Sequence, residues 1–237
     1  MSKSALKRIL SKDIKEISSR NLNESGIYIQ FDEEDMLKAK AMIVGPKDSL
    51  YENAFLFFAI TFPSNYPFAP PDVAYISRNN IRIHPNLYVG SHLSGHGKVC
   101  LSILGTWSGP KWTSIMDVTT VILCIQSLLD GNPLHHEPGH EKDKSVTNTY
   151  YNQIIEYESL QTLLIKNILD IPPGYEIFHN DMRNEIIKNK DNIDNRIQQL
   201  LKKNPKPFKL SVPIYRINKL IDYSGVYFQF KELINKI

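Results

Sequence analysis

The chain has 237 residues, enough for one domain with an extension or for two small domains, and no apolar run reaches the roughly 18 residues of a membrane helix. Its hydrophobic content of 42%, charged content of 22% and net charge of +3 are typical of a soluble protein and do not indicate nucleic-acid binding. Two cysteines without a disulfide pattern, after a polar and basic start, indicate the reducing cytoplasm or the nucleus.

An amphipathic helix is predicted at the start of the chain. Apolar residues recur at helical spacing over residues 4–17, and most lysines and arginines of this stretch fall at other positions. Three strand-like runs follow between short polar connectors, at residues 26–31, 36–44 and 54–62. This order favours an antiparallel meander. A turn with four prolines at residues 62–71 then leads to a fourth strand at residues 73–76.

The middle of the chain predicts a long loop followed by two helices. Residues 79–112 show no convincing periodicity, which in a compact domain is typical of a functional segment. The pattern of a buried helix returns over residues 114–129, and Gly131-Asn132-Pro133 stops it. A polar loop then leads to a second long helix over residues 146–169.

The last part of the chain, residues 171–237, is richer in lysine and asparagine than the preceding core of residues 1–170. Its pattern predicts a helix over residues 178–201, a Pro/Lys linker at residues 204–209 and amphipathic pieces from Pro213 onward. We therefore expect a core domain of residues 1–170 and a helical C-terminal extension of residues 171–237.

Cys100 stands out among the residues that could carry chemistry. It lies between glycine-rich sequence upstream and a Gly/Trp/Pro loop that ends at Trp112, which predicts an accessible loop thiol. Cys124, by contrast, lies inside an apolar run and is expected to pack in the interior.

A zinc site is the first chemistry to weigh, because histidine and cysteine are its usual ligands. Two groups of residues supply them: His92, His96 and Cys100 in the loop, and His135, His136 and His140 after the buried helix. However, a spacing of four places ligands on one face only in a helix, and the glycines between these residues argue against a helix. Solvent-exposed loop histidines are the favoured interpretation.

A cysteine nucleophile allows two further reactions. A Cys–His hydrolase would need a base and an orienting group beside Cys100, and the local sequence matches no cysteine-protease signature. Acyl transfer from the thiol to an amine needs no dedicated base, because a thiol with a pKa of about 8.5 supplies enough thiolate at neutral pH.

The order of motifs resembles the ubiquitin-conjugating enzymes from about residue 5 to residue 169. The matching segments are the proline-rich turn at residues 62–71, then His84-Pro85-Asn86, Gly97-Lys98-Val99-Cys100-Leu101-Ser102-Ile103-Leu104 and Trp112. The Gly105–Pro110 insertion, Asn132-Pro133 and Glu137-Pro138-Gly139 are similar to the branch with a C-terminal extension and to the conjugating domain of Apollon.

The resemblance implies an α+β, ubiquitin-conjugating fold with an N-terminal helix, a four-stranded antiparallel meander, an active-site loop, a central helix and C-terminal helices. It also implies a reaction that needs no metal or cofactor in this chain. An activating enzyme, which uses ATP, passes ubiquitin or a ubiquitin-like modifier to Cys100 as a thioester, and a substrate lysine held by a ligase then attacks. The alternative is a non-catalytic module of the same fold that binds modifier or ligase, but the retained Cys100 disfavours it.

Roles for other residues also follow from the resemblance. Asn86 would support the oxyanion or the loop, His84 would make a structural hydrogen bond, and His136 or Glu137 would activate the attacking lysine. The extra run at residues 89–97 lengthens the connection from Asn86 to Cys100 and makes their geometry uncertain. The residues expected to meet partners are Lys7 and Arg8 for the activating enzyme, and Phe68, Ser114 and Ile115 for the ligase.

Overall fold

The structure is a computed structural model that describes residues 3–78, 80–90 and 96–237. It contains an antiparallel sheet, helices that pack with it and a C-terminal extension that joins the same core. Within these described ranges, no helix combines the length and apolar character needed to cross a membrane. His92, one of the histidines weighed as a metal ligand, lies outside the described residues.

The predicted first helix is confirmed, and it continues slightly further than expected. It begins as α1 (Lys3–Arg8), passes through a π-helical segment at Ile9–Asp13 and ends as α2 (Ile14–Ser19). Ala5 and Ile9 are fully buried, so the apolar stripe faces the core as the helical spacing predicted.

The predicted four-stranded meander is confirmed, with one short strand added. Its strands pair antiparallel in chain order and are β1 (Ile27–Phe31), β2 (Lys38–Val44), β3 (Phe55–Thr61) and β4 (Asp72–Ile76). A fifth strand, β5 (His96–Lys98), pairs with β4 inside the stretch expected to lack regular structure. Three residues centred on a glycine are too short to show a period of two, so sequence patterning missed this strand.

The two helices predicted after the loop are present. The central helix α3 (Val118–Leu128) is capped at its N-terminus by Asp117, whose side chain accepts a hydrogen bond from the Thr120 amide. A 3₁₀ helix at Pro133–His136 follows it. The second long helix runs without a break through α4 (Val146–Glu158), a π-helical segment at Ser159–Lys166 and α5 (Asn167–Leu169).

The C-terminal extension is mainly helical, as predicted, but it also contains a β-hairpin. Its elements are α6 (His179–Lys203), β6 (Phe208–Val212), β7 (Ile217–Ile221) and α7 (Tyr223–Lys236). The predicted linker at residues 204–209 therefore ends inside β6. Each strand has only five residues, and Pro213 lies in the turn between them. Strands this short carry too few alternating residues for a period of two to be recognised from the sequence.

The extension packs on the outer face of the sheet. The Tyr175 ring lies 5.2 Å from the ring of Phe57, which is fully buried. The Tyr28 hydroxyl donates to Glu185 at 2.9 Å, and the Lys40 ammonium donates to the Gly174 carbonyl at 2.7 Å. Residues of the extension therefore cover part of this sheet face, at Tyr28, Lys40 and Phe57.

Asp13 joins three separate parts of the core. Its Oδ1 accepts the Tyr66 hydroxyl at 2.5 Å and the Val118 amide at 3.0 Å, while Arg8 Nε lies 3.5 Å from Oδ2. Burial raises the pKa of Asp13, although these hydrogen bonds and Arg8 act in the opposite direction. The first helix, the proline-rich turn and the start of α3 thus meet at one buried carboxyl group.

We predict that Asp13→Ala lowers the free energy of unfolding by about 3 kcal/mol, because it leaves a buried hydroxyl and a buried amide without their acceptor. Urea denaturation measures this change. Asp35→Ala is the matched control, since Asp35 makes an ion pair with Lys38 at the surface, and it should change stability much less. Equal losses in the two variants would contradict a central role for Asp13.

Candidate active site

Asn86 and Cys100 are held together by two reciprocal hydrogen bonds. The Cys100 amide donates to the Asn86 carbonyl at 2.8 Å, and the Asn86 side-chain amide donates to the Cys100 carbonyl at 2.8 Å. Both residues are buried, so these bonds are shielded from competition with water. The pair, which we call the Asn86–Cys100 clamp, fixes the position of the cysteine backbone.

The extra run at residues 89–97 does not separate the two clamp residues. The Tyr88 amide donates to the Lys98 carbonyl at 3.0 Å, and Leu87 forms a β-bridge with Val99. A side chain at Gly97 would not fit, because its Cβ would lie 1.8 Å from the Tyr88 carbonyl oxygen. The backbone segments before and after the extra run are therefore paired with each other. This pairing keeps Asn86 and Cys100 in contact despite the longer connection between them.

His84 supports the clamp from the other side. Its Nδ1 accepts a hydrogen bond from the Asn86 amide at 3.0 Å, so a neutral ring carries its proton on Nε2. Burial, together with the neighbouring His136, lowers the pKa of His84 to about 3. A ring that stays neutral over the physiological pH range is suited to hold the loop rather than to exchange protons.

The expectation of an accessible thiol at Cys100 is wrong for this structure, since the residue is only 1% exposed. Cys124, expected in the interior, is partly exposed on α3. The glycines around Cys100 suggested an open loop, but they permit close backbone pairing that buries the residue instead.

Thr106 fastens the backbone on both sides of Cys100. Its hydroxyl donates to the Val99 carbonyl at 2.7 Å and accepts from the Leu101 amide at 2.9 Å. Gly105, with a φ of 71°, reverses the chain after a short 3₁₀ helix and brings Thr106 back to this position. Thr106 was not among the predicted site residues; the signal in the sequence was a glycine, which permits a tight turn, directly before a hydroxyl side chain.

The two residues predicted to activate lysine have different partners. His136 Nε2 lies 2.9 Å from Asp130 Oδ2, and its ring centre is 4.9 Å from that of His84. Burial acts to raise the pKa of Asp130, but the hydrogen bonds from His136 and from the Asn132 amide outweigh it, so the pKa lies below its usual value. Asp130 therefore remains a carboxylate that orients His136.

Glu137 accepts a hydrogen bond from a residue of the extension. The Tyr215 hydroxyl donates to Glu137 Oε2 at 2.5 Å. Tyr215 was not among the predicted site residues, because it lies 78 residues away in the chain and no local motif marks it.

The other histidines weighed as metal ligands make ordinary loop contacts. His135 Nε2 lies 3.0 Å from the Asp143 carbonyl oxygen, and His140 Nδ1 lies 2.8 Å from Asp143 Oδ2. Over residues 3–78, 80–90 and 96–237, no three histidine, cysteine or acidic side chains are grouped closely enough to hold a metal ion.

Of the two basic residues predicted to meet an activating enzyme, only Lys7 is exposed. Arg8 is 17% exposed, and its guanidinium donates to the Met116 carbonyl at 2.7 Å beside Asp13. The structure thus gives Arg8 an internal bonding role, because helical spacing alone could not show that it reaches across to the loop before α3.

The residues predicted to face a ligase form an exposed surface. Phe68 is 77% exposed, Ile115 is 76% exposed, and Ser114 is also exposed. The Trp112 indole donates to the Pro67 carbonyl at 2.7 Å, which joins the proline-rich turn to the loop that carries the other two residues. Lys12 donates to the Ile115 carbonyl at 2.8 Å and fixes that loop against the first helix.

Comparison with known proteins identifies the class of this fold and site. Residues 9–162 match the family described as "Ubiquitin-conjugating enzyme", so the chain belongs to that family. Similar proteins include ubiquitin-conjugating enzyme E2 Z of Danio rerio, which is 40% identical over 139 residues, covering 57% of this chain and 40% of the relative. The chain therefore spans less than half the length of this relative.

Two further comparisons agree with the predicted branch and fold. Human BIRC6, which is Apollon and is described as a dual E2 ubiquitin-conjugating enzyme/E3 ubiquitin-protein ligase, is 31% identical over 170 residues, covering 66% of this chain and 3% of BIRC6. A solved structure from Plasmodium yoelii, assigned to the ubiquitin-conjugating enzymes, aligns with a TM-score of 0.51 at 23% identity, covering 69% of this chain and 97% of that chain. The predicted α+β fold class is confirmed.

We predict that Thr106→Val lowers the free energy of unfolding by about 1–2 kcal/mol, since the Val99 carbonyl and the Leu101 amide lose their partner. The looser backbone should also let iodoacetamide label Cys100 faster, measured by mass spectrometry against Cys124 as an internal reference. Thr113→Val, at an exposed threonine, is the control and should leave both quantities nearly unchanged.

We also predict a pH dependence of stability that originates at His84. Because its folded pKa of about 3 lies below the reference value of 6.5, its contribution is complete above pH 6.5 and is lost as the pH falls toward 3. Between pH 7.5 and pH 5 this amounts to about 2 kcal/mol. Urea denaturation of the wild type and of His84→Gln at both pH values should show a smaller loss in the variant, and equal losses would refute the assignment.

Proposed function

We propose that the chain is an active conjugating enzyme that carries ubiquitin or a ubiquitin-like modifier as a thioester on Cys100. The observation that carries the proposal is the Asn86–Cys100 clamp, which places a cysteine from a Gly-Lys-Val-Cys segment against the asparagine of His84-Pro85-Asn86. This arrangement supports the catalytic function over a non-catalytic module of the same fold.

The reaction has two acyl transfers. In the first, the Cys100 thiolate attacks the thioester carbonyl between the modifier and the activating enzyme, and the thiolate of the activating enzyme leaves. In the second, a substrate lysine amine attacks the carbonyl on Cys100, an isopeptide bond forms, the Cys100 thiolate leaves and the amine loses a proton. The enzyme must bring the buried Cys100 sulfur into contact with the modifier when the activating enzyme docks.

Asn86 supports the loop in this scheme. One N–H of its side-chain amide donates to the Cys100 carbonyl, which fixes the amide nitrogen beside the cysteine, and the second N–H of the same nitrogen can donate to an oxyanion. His84 holds the Asn86 backbone through its neutral ring. Glu137, or His136 oriented by Asp130, takes the proton that the lysine releases, because a lysine with a reference pKa of about 10.4 is mostly protonated at neutral pH.

The partners of the proposed enzyme are the modifier, an activating enzyme, a ligase and protein substrates, in the cytoplasm or the nucleus. Lys7 on the exposed side of the first helix meets the activating enzyme, and Phe68, Ser114 and Ile115 meet the ligase. ATP is consumed by the activating enzyme, and this chain uses no cofactor or metal. The deeper position of Arg8 leaves Lys7 as the more direct contact.

A charging assay tests the proposal. The full chain, mixed with an activating enzyme, ATP and ubiquitin or a related modifier, should form an adduct on a gel that a reductant removes. Cys100→Ala should abolish the adduct, and Cys100→Ser should give an oxygen ester that resists the reductant. Cys124→Ala is the matched control and should charge like the wild type.

Two results would refute the proposed function. One is the absence of an adduct with every activating enzyme and modifier in a panel. The other is an adduct that persists in Cys100→Ala, which would place the linkage on another residue.

A further inference from the structure

We propose that Tyr215, in the C-terminal extension, is a positioning residue for lysine transfer that holds the Glu137 carboxylate at the active-site loop. The proposal rests on the proposed function and deepens it, because it assigns part of the transfer machinery to the extension. The extension then takes part in the second acyl transfer and not in the first.

The contact between the two side chains is direct. The Tyr215 hydroxyl donates to Glu137 Oε2 at 2.5 Å, a short bond of the kind that a charged acceptor makes. Burial and the neighbouring Glu137 raise the pKa of the Tyr215 phenol, so it stays protonated and remains a donor. Among the described residues, Glu137 Oε1 accepts no hydrogen bond and is available for another donor.

Tyr215 also contacts the segment that leads to the clamp. The Arg82 guanidinium lies 3.5 Å from the Tyr88 ring centre and 5.3 Å from the Tyr215 ring centre. Arg82 Nε donates to the Pro85 carbonyl at 3.1 Å, one residue before Asn86. Tyr215 is thereby linked both to the loop that precedes Cys100 and to the loop that carries Glu137.

The hairpin that presents Tyr215 is fixed on the core. Arg216, with a φ of 52°, closes a tight turn between β6 and β7 and points Tyr215 back toward the core. The Tyr151 and Tyr215 ring centres are 5.5 Å apart, so the residue also packs on α4. In the middle of β7, Lys219 makes an ion pair with Glu158, which is fully buried in α4. These contacts leave the Tyr215 side chain little conformational freedom.

The hydrogen bond from Tyr215 fixes the orientation of the Glu137 carboxylate. A carboxylate with one oxygen fixed by a rigid donor loses most of its rotational freedom, and its second oxygen then keeps one direction. The attacking lysine can donate its proton to that oxygen while its nitrogen bonds to the carbonyl on Cys100. Without the tyrosine hydroxyl, Glu137 would turn toward solvent and meet the lysine in fewer encounters.

The test is a discharge assay on the full chain. The enzyme is charged with ubiquitin, charging is stopped by removing ATP, and loss of the thioester is followed over a series of free lysine concentrations. We expect Tyr215→Phe to lower the maximal discharge rate about fivefold, with little change in the half-saturating lysine concentration. Its charging rate and thermal midpoint should match the wild type. Tyr150→Phe, at an exposed tyrosine of α4, is the matched control and should discharge normally.

A double-mutant cycle separates positioning of Glu137 from a general structural role. Glu137→Gln should slow discharge by about as much as Tyr215→Phe or more, and adding Tyr215→Phe to it should slow discharge no further. Multiplicative losses would overturn the proposal, as would a Glu137→Gln variant that discharges normally.

The remaining outcomes are equally decisive. A Tyr215→Phe variant that discharges like the wild type, or one that loses thermal stability and charging together, would overturn the inference and leave the proposed function standing. A wild-type chain that never charges would refute the proposed function itself.

Discussion

The two hydrogen bonds between Asn86 and Cys100 are the constraint on which the site depends. Together with the bond from the Tyr88 amide to the Lys98 carbonyl, they pair residues 86–88 with residues 98–100. This pairing brings Cys100 against the His84-Pro85-Asn86 segment. His84 holds Asn86, and Thr106 holds the residues on either side of Cys100. Cys100 therefore lies in a backbone frame that hydrogen bonds of Asn86 and Thr106 hold in place.

The C-terminal extension contacts the core both on the sheet and beside the candidate site. Residues 174–203 cover part of the outer sheet face, and the hairpin of β6 and β7 reaches the rim of the site through Tyr215. An ion pair between the partly exposed Lys219 and the buried Glu158 connects that hairpin to α4. In this protein the conjugating domain and its C-terminal segment are consequently one physical unit.

Sequence patterning found the elements long enough to show a period. The strand at Lys38–Val44 and the helix at Val118–Leu128 each carry several apolar residues in register, so both were predicted. The three-residue strand at His96–Lys98 and the burial of Cys100 were not, because both depend on pairing between segments distant in the chain. The same reason hid the inward position of Arg8 and the contact of Tyr215 with Glu137. The motif order predicted the family, whereas the geometry around the motif required coordinates.

The hydrogen bond between Tyr88 and Lys98 makes the position of Cys100 independent of the length of the loop before it. A segment that leaves and returns at one backbone pair can gain, lose or exchange residues without moving the backbone on the other side of that pair. The strict requirement falls on the base of the segment, where Gly97 leaves no space for a side chain against the Tyr88 carbonyl. Residues between Tyr88 and Gly97 can therefore differ in number and type while the backbone around Cys100 keeps its position.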